Sequence, residues 1–152
     1  MLGATYDSQV CSIARALQAV GERWTLLIVR NLFLGLRRFD ELQQNLGIAR
    51  NVLAARLEKL VEAGIAETRP YSERPPRHEY VLTDKGRDLF PVLVALMQWG
   101  DRHAPTPGGP PIVMVHRGCG GEVDAHRACT SCGKLLELHQ VQALRGPGAA
   151  AA

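Results

Sequence analysis

Two pairs of metal-type ligands with the same internal spacing restrict the fold of this chain more than any other feature. His116-Arg-Gly-Cys119 is followed by Gly120, and Cys129-Thr-Ser-Cys132 by Gly133, with nine residues between Cys119 and Cys129. Each pair reads as a tight turn that offers two ligands and a glycine tolerant of positive φ. Two such turns build a closed tetrahedral Cys3His site of the zinc-ribbon type. Residues 112–142 hold few large apolar side chains, so a piece this small needs bound zinc for its stability, and the metal is structural rather than catalytic. His126 competes with His116 as the fourth ligand, and free thiols are the bland alternative. An iron cage prefers four thiolates where only three are local. No βαβ pattern surrounds Cys129-x-x-Cys132, which disfavours a thioredoxin-like reading.

A second boundary precedes the ribbon. Residues 104–111, Ala-Pro-Thr-Pro-Gly-Gly-Pro-Pro, cannot carry a helix or sheet, because proline fixes φ and removes donors. The chain therefore reads as a main domain at 8–103, a linker at 104–111, a ribbon at 112–142 with short strands near 112–115, 122–128 and 135–138, and a disordered tail at 143–152 rich in Gly, Pro and Ala. With 46% apolar and 22% charged residues the composition is that of a globular protein, which excludes disordered and collagen-like classes. The longest apolar run, 24–34, is interrupted by Arg30 and Asn31 and is too short to span a bilayer. No signal-peptide pattern opens the chain. A cytoplasmic, reducing location follows, and four cysteines there argue against disulfides. The net charge of +3 is spread evenly, so any nucleic-acid footprint must come from local clusters.

In the main domain, Val10, Ile13, Ala14, Leu17 and Val20 recur at helical spacing and Gly21 ends the run. Residues 24–34 form an almost wholly apolar central helix ended by Gly35. A short helix at 40–45, a turn at Gly47 and a helix at 49–63 follow, the last with Leu53, Leu57 and Leu60 on its inner stripe and Gly64 beyond its end. Residues 65–71 and 79–82 are strand-like. Between them, 72–77 with Pro75 and Pro76 reads as a turn that stops the ladder. Thr83 then caps a helix expected over 84–103, bent at Pro91.

The expected fold class is α+β, mainly α: a winged helix-turn-helix domain followed by a small zinc-ribbon-like β domain. In such a domain the second helix of the pair enters the major groove of double-stranded DNA. Arg50 and Asn51, at the start of helix 49–63 and facing outward, are the base-reading candidates, because Arg bonds guanine and Asn adenine through two hydrogen bonds. Arg56, on the flank, joins them. Arg37, Arg38, Arg74 and Arg77 suit phosphate contacts that set register. The same spacing also suits ordinary solvated charges.

Trp24-Thr25-Leu26-Leu27-Ile28, Arg38-Phe39-Asp40-Glu41-Leu42, the helix 51–60, the stretch Tyr71-Ser72-Glu73-Arg74-Pro75-Pro76-Arg77-His78-Glu79-Tyr80, and Leu82-Thr83-Asp84-Lys85-Gly86 together resemble the HxlR-type bacterial transcriptional regulators. The resemblance spans about residues 8–103. It implies a homodimeric winged-helix DNA-binding protein whose first and last helices form the dimer interface and which reads a pseudo-palindromic site. Ala49 stands where members often have Ser or Thr, which weakens one helix cap. In some relatives a cysteine near Cys11 senses oxidants. Arg15, one turn along, favours a thiolate at Cys11, although a lone cysteine at a helix flank is commonly a small apolar filler. The partners so implied are double-stranded DNA, a second copy of the chain and a small-molecule or oxidant effector, with no membrane. A protein-interaction module built from the winged helix and ribbon is the alternative. An enzyme is disfavoured: no nucleophile triad, phosphate loop or placed carboxylate pair is visible.

Overall fold

The computed structural model describes residues 5–149, and the chain divides after Arg87 into two compact units. The first opens with α1 (Ser12–Val20), which has the expected apolar stripe but buries only Ala14 and Val20. Ile13 is 70% exposed and Leu17 40%. Helix α2 (Thr25–Phe33) is the central one, with Thr25, Ile28, Val29, Asn31 and Leu32 buried. Buried Asn31 needs partners and has them. Its Nδ2 donates to Asn45 Oδ1 at 2.8 Å, and its Oδ1 accepts from Arg30 at 2.7 and 3.0 Å.

Helix α3 (Phe39–Leu46) is started by Glu41, whose carboxylate accepts the amides of Arg38 at 3.0 Å and Arg37 at 3.2 Å. These amides hold the Glu41 carboxyl below its ordinary range, Arg38 contributing most. Gly47 at φ +63° makes the left-handed turn that ends α3, a conformation costly for a residue with a Cβ. Helix α4 (Arg50–Glu62) follows with Leu53, Leu57 and Leu60 fully buried, the inner stripe read from the sequence. Ala49 occupies its N-cap with no side-chain hydrogen bond. The other end of α4 is met by Lys85 Nζ, donating to Ala63 O at 2.6 Å, and Thr83 Oγ1, donating to Gly64 O at 2.6 Å.

Strands β1 (Ala66–Glu73) and β2 (Pro76–Leu82) pair antiparallel from Ala66 opposite Leu82 to Glu73 opposite Pro76, with an irregularity between Pro70 and Ser72. The ladder is longer than expected: the turn read at 72–77 is confined to Arg74 and Pro75. In a two-stranded ribbon each strand is an edge, so a proline without an N–H is tolerated there. Thr83 does cap the next helix, its Oγ1 accepting from Gly86 N at 3.2 Å. That helix, α5 (Asp84–Arg87), is short. The single bent helix expected over 84–103 is instead two helices, with Pro91 in the first turn of α6 (Phe90–His103). Pro91 cannot donate to the carbonyl of Arg87, whereas in a first turn its missing N–H costs nothing.

The second unit contains α6, β3 (Ile112–His116), a 3₁₀ turn (Leu138–Gln140) and β4 (Val141–Arg145). Helix α6 thus groups with the ribbon, a division that differs from the boundaries at 103 and 112 expected from the Pro/Gly stretch. Strands β3 and β4 pair antiparallel from Ile112 opposite Arg145 to His116 opposite Val141. Single bridges join Val115 to Glu122, Val123 to Cys129 and Ala128 to Leu135, in place of the strands expected at 122–128 and 135–138. The reading of 143–152 as a disordered tail is corrected for its described part. Residues 143–145 complete β4, and the amides of Gly146 and Gly148 donate to Pro111 O at 2.9 Å and Pro110 O at 3.1 Å. Backbone pairing, which needs no large side chains, orders this segment. Residues 150–152 lie outside the described residues. Val123, Cys129, Leu136 and Val141 are the buried centre of the ribbon. Among the described residues no helix is long and apolar enough to cross a membrane.

Candidate nucleic-acid interface and metal cluster

Helices α3 and α4, the Gly47 turn between them and the β1–β2 ribbon form a winged helix-turn-helix, and three of its arginines, Arg37, Arg38 and Arg50, are held by contacts to the wing or to the first turn of α3. The Arg37 Nη1 lies 3.7 Å from Glu79 Oε1 on β2, and Tyr80 N donates to Arg37 O at 2.8 Å. The Arg38 guanidinium stands 4.7 Å over the Tyr71 ring on β1. Together these contacts stitch the loop entering α3 to the wing. At the start of α4, Arg50 stands 4.7 Å over the Phe39 ring and 3.7 Å from Asp40 Oδ1, both in the first turn of α3. Arg50 and Asp40 are strongly exposed, so this ion pair is weak and exchangeable. Asn51 is exposed beside Arg50.

Arg74 and Arg77 are exposed at the wing tip, and among the described residues neither has an ion-pair partner. Arg69 is occupied by Glu67 at 2.7 Å. Two aromatic residues in these contacts, Phe39 and Tyr71, escape sequence reasoning. Their role as platforms for guanidinium groups depends on pairings between residues 11 and 33 positions apart, which leave no periodic signal.

Arg56 is placed elsewhere. Its Nη1 pairs with Glu22 Oε2 and its Nε donates to Arg23 O at 3.3 Å, and its side chain is only 23% exposed. The expectation that Arg56 reads bases does not fit this position: the side chain ties α4 to the turn before α2. A helical wheel puts Arg56 on the flank but does not show a partner 34 positions earlier.

In the second unit, His116, Cys119, Cys129 and Cys132 come together, with all four ligand atoms within 4.8 Å of one another. Nδ1 of His116 is 3.2 Å from Cys119 Sγ and 3.4 Å from Cys132 Sγ, and the sulfurs of Cys119 and Cys129 are 3.4 Å apart. A tetrahedron with zinc–sulfur bonds of about 2.3 Å and a zinc–nitrogen bond of about 2.0 Å has edges of about 3.5–3.8 Å, so the cluster could hold a metal ion after small adjustments. Gly120 and Gly133, at φ +73° and +72°, let both ligand turns reverse tightly. The amide of Cys132, then that of Ser131 and the neighbouring sulfurs, lower the Cys129 thiol to about 6 against the opposing effect of burial. At Cys119 the Gly121 amide pulls down, but the Cys129 sulfur, burial and Cys132 together push the thiol up. His126 is exposed and outside the cluster, its amide donating to Asp124 Oδ1 at 2.8 Å. Of the two competing histidines, His116 is the one in place.

Cys11 is exposed at the N-cap of α1. The neighbouring Arg15 donates to Ser12 Oγ at 3.1 Å, so its guanidinium has a partner other than the thiol.

Residues 19–107 match the HxlR-like helix-turn-helix family. The HTH-type transcriptional regulator Rv3095 of Mycobacterium tuberculosis is 53% identical over 137 residues, covering 90% of this chain and 87% of its own length. Among solved structures, that of PA1607, assigned as a transcription factor, is 40% identical and superposes with a TM-score of 0.72 over 93% of this chain and 99% of its own. The redox regulator HypR, solved in its oxidized form, is 29% identical with a TM-score of 0.57, covering 61% of this chain and 97% of its own. The winged helix, its arginine contacts and these likenesses agree: the chain belongs to the HxlR-like helix-turn-helix family of transcriptional regulators.

Proposed function

We propose that the protein acts as a homodimer on double-stranded DNA, with α4 of each copy in the major groove of one half of a pseudo-palindromic operator and each wing on the adjacent backbone. The observation that carries this reading is the placement of Arg37 and Arg38 against the wing and of Arg50 against the first turn of α3. In this reading, Arg50 and Asn51 read base edges, while Arg37, Arg38, Arg74 and Arg77 contact phosphates. Helices α1 and α6 supply the dimer interface: Ile13 and Leu17 on one, and Val92, Leu96 and Trp99 on the other, are exposed apolar residues at helical spacing. The protein is a regulator rather than an enzyme, and works in the bacterial cytoplasm. A gel shift on the DNA upstream of its own gene, at two salt concentrations and against random competitor, tests the proposal. Binding that survives competitor and weakens with salt is expected; binding indifferent to salt points instead to a protein-interaction module.

The metal in the Cys3His cluster is zinc, held by His116, Cys119, Cys129 and Cys132 in a structural role. Bound there, it cross-links the two ligand turns and carries no reaction. Metal analysis of the purified protein is expected to find one zinc per chain, lost in Cys132→Ser.

A redox input through Cys11 is a second reading. Its exposure at the start of α1 and the likeness to HypR favour it. Mass spectrometry after mild diamide treatment is expected to find Cys11 modified or cross-linked, and an untouched Cys11 removes this reading.

A further inference from the structure

We propose that Glu22 is a positioning residue for base readout: from the turn between α1 and α2 it holds the flank of α4 and sets where Arg50 and Asn51 meet the groove. The inference rests on the reading that α4 is the helix that enters DNA.

One carboxylate serves two cations of that helix. Glu22 Oε2 pairs with Arg56 Nη1, and Oε1 accepts from Lys59 Nζ at 2.9 Å. A third contact comes from the same turn, where Arg23 O accepts from Arg56 Nε at 3.3 Å. Arg56 and Lys59 are three residues apart and therefore neighbours on one face of α4. Lys59, burial and Arg56 act on the Glu22 carboxyl in that order, with the net effect of holding it below its ordinary range.

The turn itself is unusual. Trp24 has φ +79°, a left-handed conformation that is a genuine outlier for a bulky side chain. The turn closes with Thr25 N donating to Glu22 O at 3.1 Å, and the Arg23 guanidinium stands 5.4 Å over the Trp24 ring. Backbone of this kind persists where its surroundings fix it and is concentrated at functional sites. Here it presents the Glu22 carboxylate and the Arg23 carbonyl to the same helix flank.

Arg56 is six residues from Arg50, or about 9 Å along the helix axis. A rotation of roughly 10° about that anchor would swing Arg50 by about 1.5 Å, enough to take a base-edge hydrogen bond out of range. Phosphate contacts from long, exposed arginines on the wing are less sensitive to such a swing. Losing Glu22 should therefore cost discrimination between sequences more than overall affinity.

The test compares wild type, Glu22→Gln, Arg56→Lys, Glu22→Asp and the charge-matched control Glu62→Gln, in the full chain. Each is titrated against the duplex upstream of its own gene and a random duplex of equal length, over a salt series, with thermal unfolding measured in parallel. We expect the ratio of the two affinities to fall about tenfold in Glu22→Gln, a coupling ordinary for contacting residues. Arg56→Lys is expected to lower it less, Glu22→Asp to restore part of it, and Glu62→Gln to leave it unchanged. The salt slope should stay that of wild type in all of them. A ratio unchanged in Glu22→Gln overturns the proposal, even if the melting temperature falls, because Glu22 is then merely a stabilising side chain. A steeper salt slope in Glu22→Gln also overturns it, since Arg56 and Lys59 would then be cations withheld from phosphate. A wild type that fails to discriminate the two duplexes, while folded, overturns the underlying assignment of α4 as the reading helix and this proposal with it.

Discussion

Replacing Arg77 by alanine tests the division between groups that position the protein and groups that read sequence. Arg77 is exposed at the wing tip, and among the described residues it has no ion-pair partner, so its removal should change stability by less than about 0.5 kcal/mol. A dimer offering Arg37, Arg38, Arg74 and Arg77 twice makes up to eight phosphate contacts, and log affinity should then fall with log salt at a slope of about −7. Removing Arg77 from both copies brings the slope to about −5. Between 50 and 200 mM salt, wild type should lose about 10⁴-fold in affinity and Arg77→Ala about 10³-fold. Fluorescence anisotropy on the upstream duplex and on a random duplex across that range measures both slopes. The loss should be the same on every sequence. Arg50→Ala, by contrast, should cost about 1–3 kcal/mol on the cognate duplex and relax preference at one position. A slope unchanged in Arg77→Ala, or a loss confined to one sequence, would refute the assignment.

Other perturbations probe the scaffold. Ala49→Ser supplies the missing cap of α4 and should stabilise the protein by about 1 kcal/mol, read as a raised melting temperature; no gain would mean that the amides there are satisfied otherwise. Glu41 has a carboxyl lowered by the amides of Arg38 and Arg37. Its stabilising effect is thus fully present above the unfolded value of about 4.3 and fades as pH falls through the lower folded value. Acid denaturation of Glu41→Gln should be correspondingly less steep than that of wild type below about pH 4, and identical profiles would count against this capping role. Chelation of the metal, or Cys129→Ser, should abolish the dispersed NMR resonances of residues 112–145, and a ribbon that keeps them without metal is not metal-dependent.

Much of this architecture is legible in the sequence because it depends on local rules. Gly47 and Gly64 mark helix ends, Leu53, Leu57 and Leu60 mark an inner face, and the two ligand pairs mark a cluster whose atoms do meet. What escapes depends on partners distant in sequence. Residues 143–145, the second half of β4, read as the start of a disordered tail because the stretch that follows is Gly, Pro and Ala without apolar periodicity, and their order comes from pairing with β3. Arg56 looks like a reader because a helical wheel shows direction but not Glu22. Pro91 reads as a bend, although the same absent N–H permits a clean new start once a helix has ended at Arg87. The left-handed Trp24 has no sequence signal at all, since glycine is the residue that ordinarily announces that conformation.

If two copies of α4 read DNA as a symmetric pair, the preferred site is an inverted repeat. Selection of binding sites from a random duplex library by the purified, metal-loaded protein tests this without a known operator. An enriched inverted repeat with half-sites about 10 base pairs apart, centre to centre, is expected, with loss of preference at one position per half-site in Arg50→Ala. Recovery of sequences with no shared motif, by a protein that is folded and dimeric, would contradict it.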